Sequence, residues 1–397
     1  MSAIRSAVVA GHICLDVIPD LNGLPEMDIP RLFRPGRLLE VGGVTFSTGG
    51  AVSNTGLSLH RLGVPTQLMG KIGDDLFGQA VTQIISGYEP RLAEGMIVDF
   101  SANTSYTIII SPPAVDRIFL HCPDANDVFG VDDIRYDIVR HSDLFHFGYP
   151  PLMRLMYIDN GRQFVEIFRR VKDLGATTSL DMALPDPAAP SGQADWMRIL
   201  EDVLPYVDIF LPSVEETLFM VRPDDYRRLM AESGSEDLLD AITPGLLADL
   251  SGRLIDLGAA VVGLKLGSKG FYLRTGSSAR LSGMGKAQPS DLASWVEREM
   301  WSGCFQVDVV GTTGSGDATI AGFLAAFLRD LQPADVLTMA VAVGACNVEA
   351  ADALSGVRDW GATRDRIAAG WRRHDLEIDR PGWSFARESG VWIGPAK

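Results

Sequence analysis

Residues 311–323 read GTTGSGDATIAGF. Gly311 and Gly316 stand at the spacing of the two glycines of a phosphate-binding loop, yet Asp317 follows where that loop carries a lysine. Glycines let consecutive backbone N–H groups point one way without Cβ clashes, and an apolar helix beginning at Asp317 adds its partial positive end. The stretch is therefore built as an anion hole. A carboxylate beside a bound phosphate repels it unless the carboxylate has another task. Proton removal fits: a hydroxyl attacking a phosphoryl group loses its proton to a neighbouring base while the glycines hold the phosphoryl oxygens. Phosphoryl transfer to an alcohol is thus one reading; an aspartate that merely N-caps a helix is the other, and the stretch alone does not separate them.

The chain has 397 residues, 46% hydrophobic and 22% charged, a composition suited to one large α/β unit or two modest ones. Lys and Arg number 35 against 51 Asp and Glu, for a net charge of -16. That balance repels nucleic acid and anionic membrane surfaces. Cys14, Cys122, Cys304 and Cys346 form no CxxC pair and read as small buried hydrophobes of a reducing compartment. The six histidines show no ligand spacing and read as satisfied core or surface residues. The opening MSAIRSAVVAGHICLDV is broken too early by Asp16 to be a secretory signal, and no apolar run is long enough to span a bilayer, so a cytoplasmic protein is expected.

Outward from the loop, strand and helix patterns alternate as a parallel sheet requires. Ala7–Ala10 is a short buried-strand pattern, followed by the Pro- and Gly-rich excursion PDLNGLPEMDIPRLFRPGR and by the glycine-started helix GGAVSNTGLSLHRLG. Strands are expected at 67–72, 144–147, 178–182, 209–211, 260–266 and 270–274. YTIIIS and RIFLH, joined by PPAVD, read as a hairpin that breaks the rhythm. The passages 223–250 and SGMGKAQPSDLASWVEREMWSGC look inserted, Asp317–Leu331 and Asp335–Ala353 read as helices, and an aromatic tail from Leu376 is expected to lie across the body.

VVGTTGSGDATIAGFLAAF resembles the second signature of the ribokinase-like, or phosphofructokinase-B, carbohydrate kinase family, and FSTGGAVSNTGLSLHRLGVPTQLMGKIGDDLFG resembles its first. The resemblance covers about residues 5–355. It implies an α/β fold: a central, mostly parallel sheet flanked by helices on both faces, in one domain over 1–375. A small β lid would draw on about 14–48 and 102–123, with the tail 376–397 packed on the domain. It implies ATP and Mg²⁺, a small sugar substrate, and a homodimer through the lid. Asp317 matches the family's catalytic base, and Gly314, Ser315 and Gly316 its anion hole. Asp16 matches the acceptor of sugar hydroxyl hydrogen bonds, and Gly49, Gly50 and Asn54 the GGxxxN segment beside the sugar. In LPSVEET, Glu216 matches the glutamate that organises water around Mg²⁺, with Ser213 where an asparagine is usual. In LKLGSKG, Gly267 and Gly270 match the turn past the nucleotide phosphates, and Lys265 stands where a small hydroxyl residue is common. Lys265 reads either as a phosphate contact or as a surface lysine. Ala345 and Asn347 fall on the helix beside the adenine.

Some positions depart from the pattern. Gly311 replaces an aspartate of the monovalent-cation site, leaving potassium dependence open although Asp308 is near in sequence. Gly148 replaces a sugar-binding glutamate, so ribose is not favoured over hexoses or sugar acids. The acidic stretch DANDVFGVDDI lacks EF-hand positions and reads as a loop near the substrate, with Asn126 a sugar contact. A nucleoside kinase of the same fold and a non-catalytic sugar- or nucleotide-binding regulator stay open. A dinucleotide oxidoreductase is disfavoured, because the first strand leads into GHICLD rather than GxGxxG.

Overall fold

The computed structural model describes residues 4–24, 34–112, 118–233 and 238–395. Most of the PPAVD connection and part of the Pro- and Gly-rich excursion lie outside the described residues.

The main sheet grows from β1 (Ala7–Gly11), whose five residues are small or β-branched and all buried. Side chains alternate along a strand, so Ala7 and Val9 enter one hydrophobic layer while Val8 and Ala10 enter the other. Such double-sided burial is what a parallel strand between two helical layers requires. Beside β1 lie β4 (Thr66–Met69) and β9 (Leu144–Gly148), both parallel to it. The parallel set continues through β10 (Thr177–Leu180), β11 (Ile209–Phe210) and β12 (Val261–Lys265). One helical layer contains Ala51–Arg61, Ser315–Leu328 and Pro333–Asn347, and the other contains Arg162–Asp173, Trp196–Val203, Val214–Val221 and Pro244–Asp256.

Beyond β12 the sheet turns antiparallel through β13 (Phe271–Thr275) and β14 (Glu299–Ser302), then β16 (Val391–Ile393) and β15 (Ser384–Ala386). The passage read as inserted supplies strand β14, and the aromatic tail pairs with that strand through β16, Trp301 opposite Trp392, with Ile378 and Val391 buried. The physical reason is the open edge of β14, whose buried Met300 and Trp301 need a hydrogen-bonded neighbour.

A separate four-stranded sheet holds β3 (Val44–Gly49), β2 (Cys14–Pro19), β7 (Tyr106–Ile110) and β8 (Ile118–Cys122), in that order. Its β7–β8 pair is the expected hairpin, and the sheet draws on the two segments expected to form a lid. A two-stranded ribbon, β5 (Lys71–Gly73) with β6 (Ile97–Asp99), completes the strands.

Candidate active site

In an open parallel sheet, ligands gather beyond the carboxyl ends of the strands. Here Tyr149 follows β9, Asp181 follows β10, Ser213 lies just past β11 and Lys265 ends β12. All four line one cleft of about 450 Å³ together with Glu216, Gly267, Gly314, Ser315, Gly316 and Asp317. Sequence-predicted residues of the anion hole, base, turn and acidic helix start thus meet in one place.

Asp317 sits in the first turn of the Ser315–Leu328 helix and is 3% exposed. Asn54 Nδ2 and the Tyr149 hydroxyl donate to its Oδ2 at 3.0 and 2.7 Å, and Thr55 Oγ1 donates to Oδ1 at 3.2 Å. Burial pushes the Asp317 carboxyl above its ordinary range, while these donors and the nearby Lys265 pull it back. The helix N-cap is Gly314, at φ 71°, not Asp317. A Cβ at 314 would fall 2.5 Å from the Ala353 side chain, so only glycine brings the backbone this close. First-turn N–H groups of such a helix have no partner within it and suit an anion in the cleft; that of Ser315 turns back to the Thr312 carbonyl at 3.2 Å.

Lys265 Nζ donates to Asp181 Oδ1 at 2.5 Å and lies against Gly316. Burial works to lower the Lys265 pKa, but Asp181, Glu216 and Asp317 outweigh it and hold the ammonium protonated. Burial pushes Asp181 upward, although Lys265 opposes that. Glu216 is likewise raised by burial. Its Oε2 accepts from the Ser213 N–H at 2.6 Å while Ser213 Oγ accepts from the Glu216 N–H at 3.1 Å, a reciprocal capping box. Ser213 is therefore occupied as a helix cap. Three carboxylates around one ammonium leave an oxygen-rich, negatively biased pocket, a donor set that suits a hard cation retaining several waters.

The residues expected beside the sugar form a chain of contacts. Gly49 passes so close to Asp16 that a Cβ there would meet the carboxylate at 2.5 Å, and Gly50, at φ 87°, passes the His12 ring equally closely. Asn54, one turn on, reaches Asp317, and its own carbonyl oxygen is buried without a protein partner among the described residues. Burial raises the Asp16 carboxyl to about 6, against hydrogen bonds from Cys14 and Thr107. The Ala51–Arg61 helix also explains Gly148: a side chain there would strike the Ala51 methyl at 2.2 Å. Gly311 has a parallel cause, since a Cβ would meet the Ala350 and Ala351 backbone at 3.0 Å.

Other predicted residues are placed elsewhere. Asn126 is fully buried, its amide spent on the backbone of Ile13 at 3.2 and 2.8 Å. Asn347 is buried and donates to the Ala353 carbonyl at 2.7 Å, bracing the loop that packs on Gly311 and Gly314; neither it nor Ala345 lines the cleft. Gly270 serves packing, for a Cβ would collide with the Ser302 carbonyl. Tyr149 and Asp181 were missed from the sequence. Their position just after β9 and β10 is the signal that could have found them, because strand ends in such sheets face the ligand.

The pfkB family carbohydrate kinase profile matches residues 5–359. An uncharacterized sugar kinase of Archaeoglobus fulgidus is 27% identical over 277 residues, spanning 69% of this chain and 87% of that protein. Probable fructokinase-4 of Arabidopsis thaliana is 24% identical over 329 residues, spanning 82% and 83%. Among solved structures, the ribokinase of Thermotoga maritima aligns with TM-score 0.65 at 17% identity, over 92% of this chain and 99% of that one. Arabidopsis thaliana ribokinase complexed with ribose and ATP aligns with TM-score 0.66 at 18% identity, over 91% and 98%. These structural likenesses establish the ribokinase-like fold, and the family profile runs across both glycine motifs and the cleft they build. The chain belongs to the pfkB family of carbohydrate kinases.

Proposed function

We propose that this carbohydrate kinase transfers the γ-phosphoryl group of ATP to a hydroxyl of a small sugar bound between the four-stranded sheet and the Asp317 cleft. The observation that carries the reading is the adjacency of Asp317, buried and gripped by three donors, to the glycine-built helix start at Gly314–Gly316. Asp317 accepts the proton of the attacking hydroxyl, and burial strengthens it as a base by raising its proton affinity. Gly314, Ser315 and Gly316 present backbone donors to the transferring phosphoryl oxygens. Lys265 brings positive charge to the phosphates, the charge the glycine loop lacks. Asp16 accepts from sugar hydroxyls. Glu216 and Asp181 would hold Mg²⁺ through its waters, and the ion supplies charge neutralisation at the phosphates.

Fructokinase names among the relatives favour a hexose such as fructose as the first substrate to test. A homodimer through the lid is supported by Val44, Phe46 and Leu120, which are exposed and, by strand register, share one face of that sheet. Among the described residues no helix is long and apolar enough to cross a membrane.

The test is ADP formation from ATP and Mg²⁺ over a sugar panel beginning with fructose, for the native chain and for Asp317→Asn. The variant is expected to keep its fold and nucleotide affinity and to lose about 10²–10⁴-fold in kcat. Native-like turnover by Asp317→Asn would refute the general-base role.

A further inference from the structure

Beside Asp16, to whose Oδ1 the Cys14 thiol donates at 3.4 Å, three metal-ligating side chains converge at the joint between the main sheet and the lid. His12 directly follows β1, Cys14 opens β2 and His121 lies on β8. Asp16 pairs with Thr107 and Thr107 with His121, so strand alternation sets Cys14, Asp16, Thr107 and His121 on one lid face. That face meets the His12 ring. His12 Nε2 and His121 Nε2 stand 3.4 Å apart, and one ligand atom from each of His12, Cys14 and His121 lies within 4.8 Å of the others.

Without an ion one ring donates to the other across this 3.4 Å gap, and an ion bound to both nitrogens replaces that bond. Zinc–nitrogen bonds of about 2.0–2.1 Å at a tetrahedral angle separate the two nitrogens by roughly 3.4 Å. Behind His121, Thr107 Oγ1 lies 3.0 Å from Nδ1, the outer-shell contact that fixes a ligating ring. Behind His12 the ring packs on Gly50, whose missing Cβ makes the room. His12 and Cys14 are buried whereas His121 is exposed, which gives an ion its way in.

We propose that His12 Nε2, His121 Nε2 and Cys14 Sγ form a binding site for one borderline or soft divalent ion, of which zinc is the type, with the fourth position left to water or a hydroxyl. Binding breaks the Cys14 S–H bond and forms a sulfur–metal bond, with the proton released to solvent. Nitrogen and sulfur ligands separate this site chemically from the all-oxygen carboxylates of the cleft, which suit Mg²⁺. An occupied site ties β2 and β8 to the end of β1 and so pins the lid to the body.

The test is a Co²⁺ titration of the full chain, freed of metal by chelation and kept reduced. One equivalent is expected to produce tetrahedral cobalt bands in the visible and a thiolate-to-cobalt band in the near ultraviolet, both abolished by Zn²⁺. Cys14→Ser removes the thiolate band, His121→Ala weakens Co²⁺ binding about tenfold or more, and Cys122→Ser, the neighbouring thiol, changes neither. Absence of a thiolate band in the native chain, or its survival in Cys14→Ser, overturns the site. Should Cys14→Ser not fold, His121→Ala decides, since unchanged Co²⁺ affinity at that exposed position overturns it equally.

Discussion

Tyr149 holds a backbone conformation, φ 64°, that costs an L side chain about 1–2 kcal/mol. The return on that strain is a phenol hydroxyl 2.7 Å from Asp317 Oδ2, where an attacking hydroxyl would also need to sit. The Tyr149 hydrogen bond lowers the proton affinity of Asp317, so Tyr149→Phe lets burial raise it further. Because the base must be ionised, the acid limb of the kcat–pH profile is expected to move to higher pH in that variant, with a larger loss at pH 6 than at pH 8. An unmoved limb would place Tyr149 outside the machinery. At this scale the sequence made Asp317 and Gly314–Gly316 legible, because glycine spacing followed by an acid is a local pattern with a mechanism. Tyr149 was not legible, since a left-handed tyrosine leaves no mark in composition. His12 and His121 failed the spacing criterion for a different reason: strand pairing, not sequence proximity, brings their rings together.

The antiparallel extension shows what one element asks of another. Val391 on β16 is fully buried in the hydrophobic core, while Phe385 on β15 is about half exposed. Val391→Ala removes about two methylene equivalents and leaves a cavity, for an expected loss of about 2 kcal/mol in urea unfolding, against under about 1 kcal/mol for Phe385→Ala. Equal effects would mean that β16 does not close the sheet. The parallel strands β1, β9, β10 and β12 were readable from apolar runs alternating with helical periodicity. Strand β14, EMWS, was not: four residues without alternation resemble loop until a neighbour supplies the hydrogen bonds. Likewise Glu216 could be placed at a helix start, but its exchange of bonds with Ser213 needed the backbone.

Across the molecule, two buried histidines make acid costly to the fold. Burial lowers both His12 and His146 to about 3, with His121 adding to it at the first and Lys265 at the second. For a histidine kept neutral by the fold, stability is fully present above its unfolded value near 6.5 and is lost as pH falls from there toward 3. Each contributes about 1.4 kcal/mol per pH unit within that window. Because the raised carboxyls of Asp16, Asp181, Glu216 and Asp317 act in the opposite sense, the test is a difference: between pH 6.5 and 4 the urea midpoint of the native chain is expected to fall relative to that of His146→Leu, and parallel profiles would contradict the burial argument. The donors that grip Asp317 have a consequence of another kind. Asn54 and Tyr149 lie 263 and 168 residues from it along the chain. A chain that has paired its strands but not yet brought these three segments together has Asp317 without the pocket proposed to make it a base, and on that reading catalytic competence arrives only when assembly is complete.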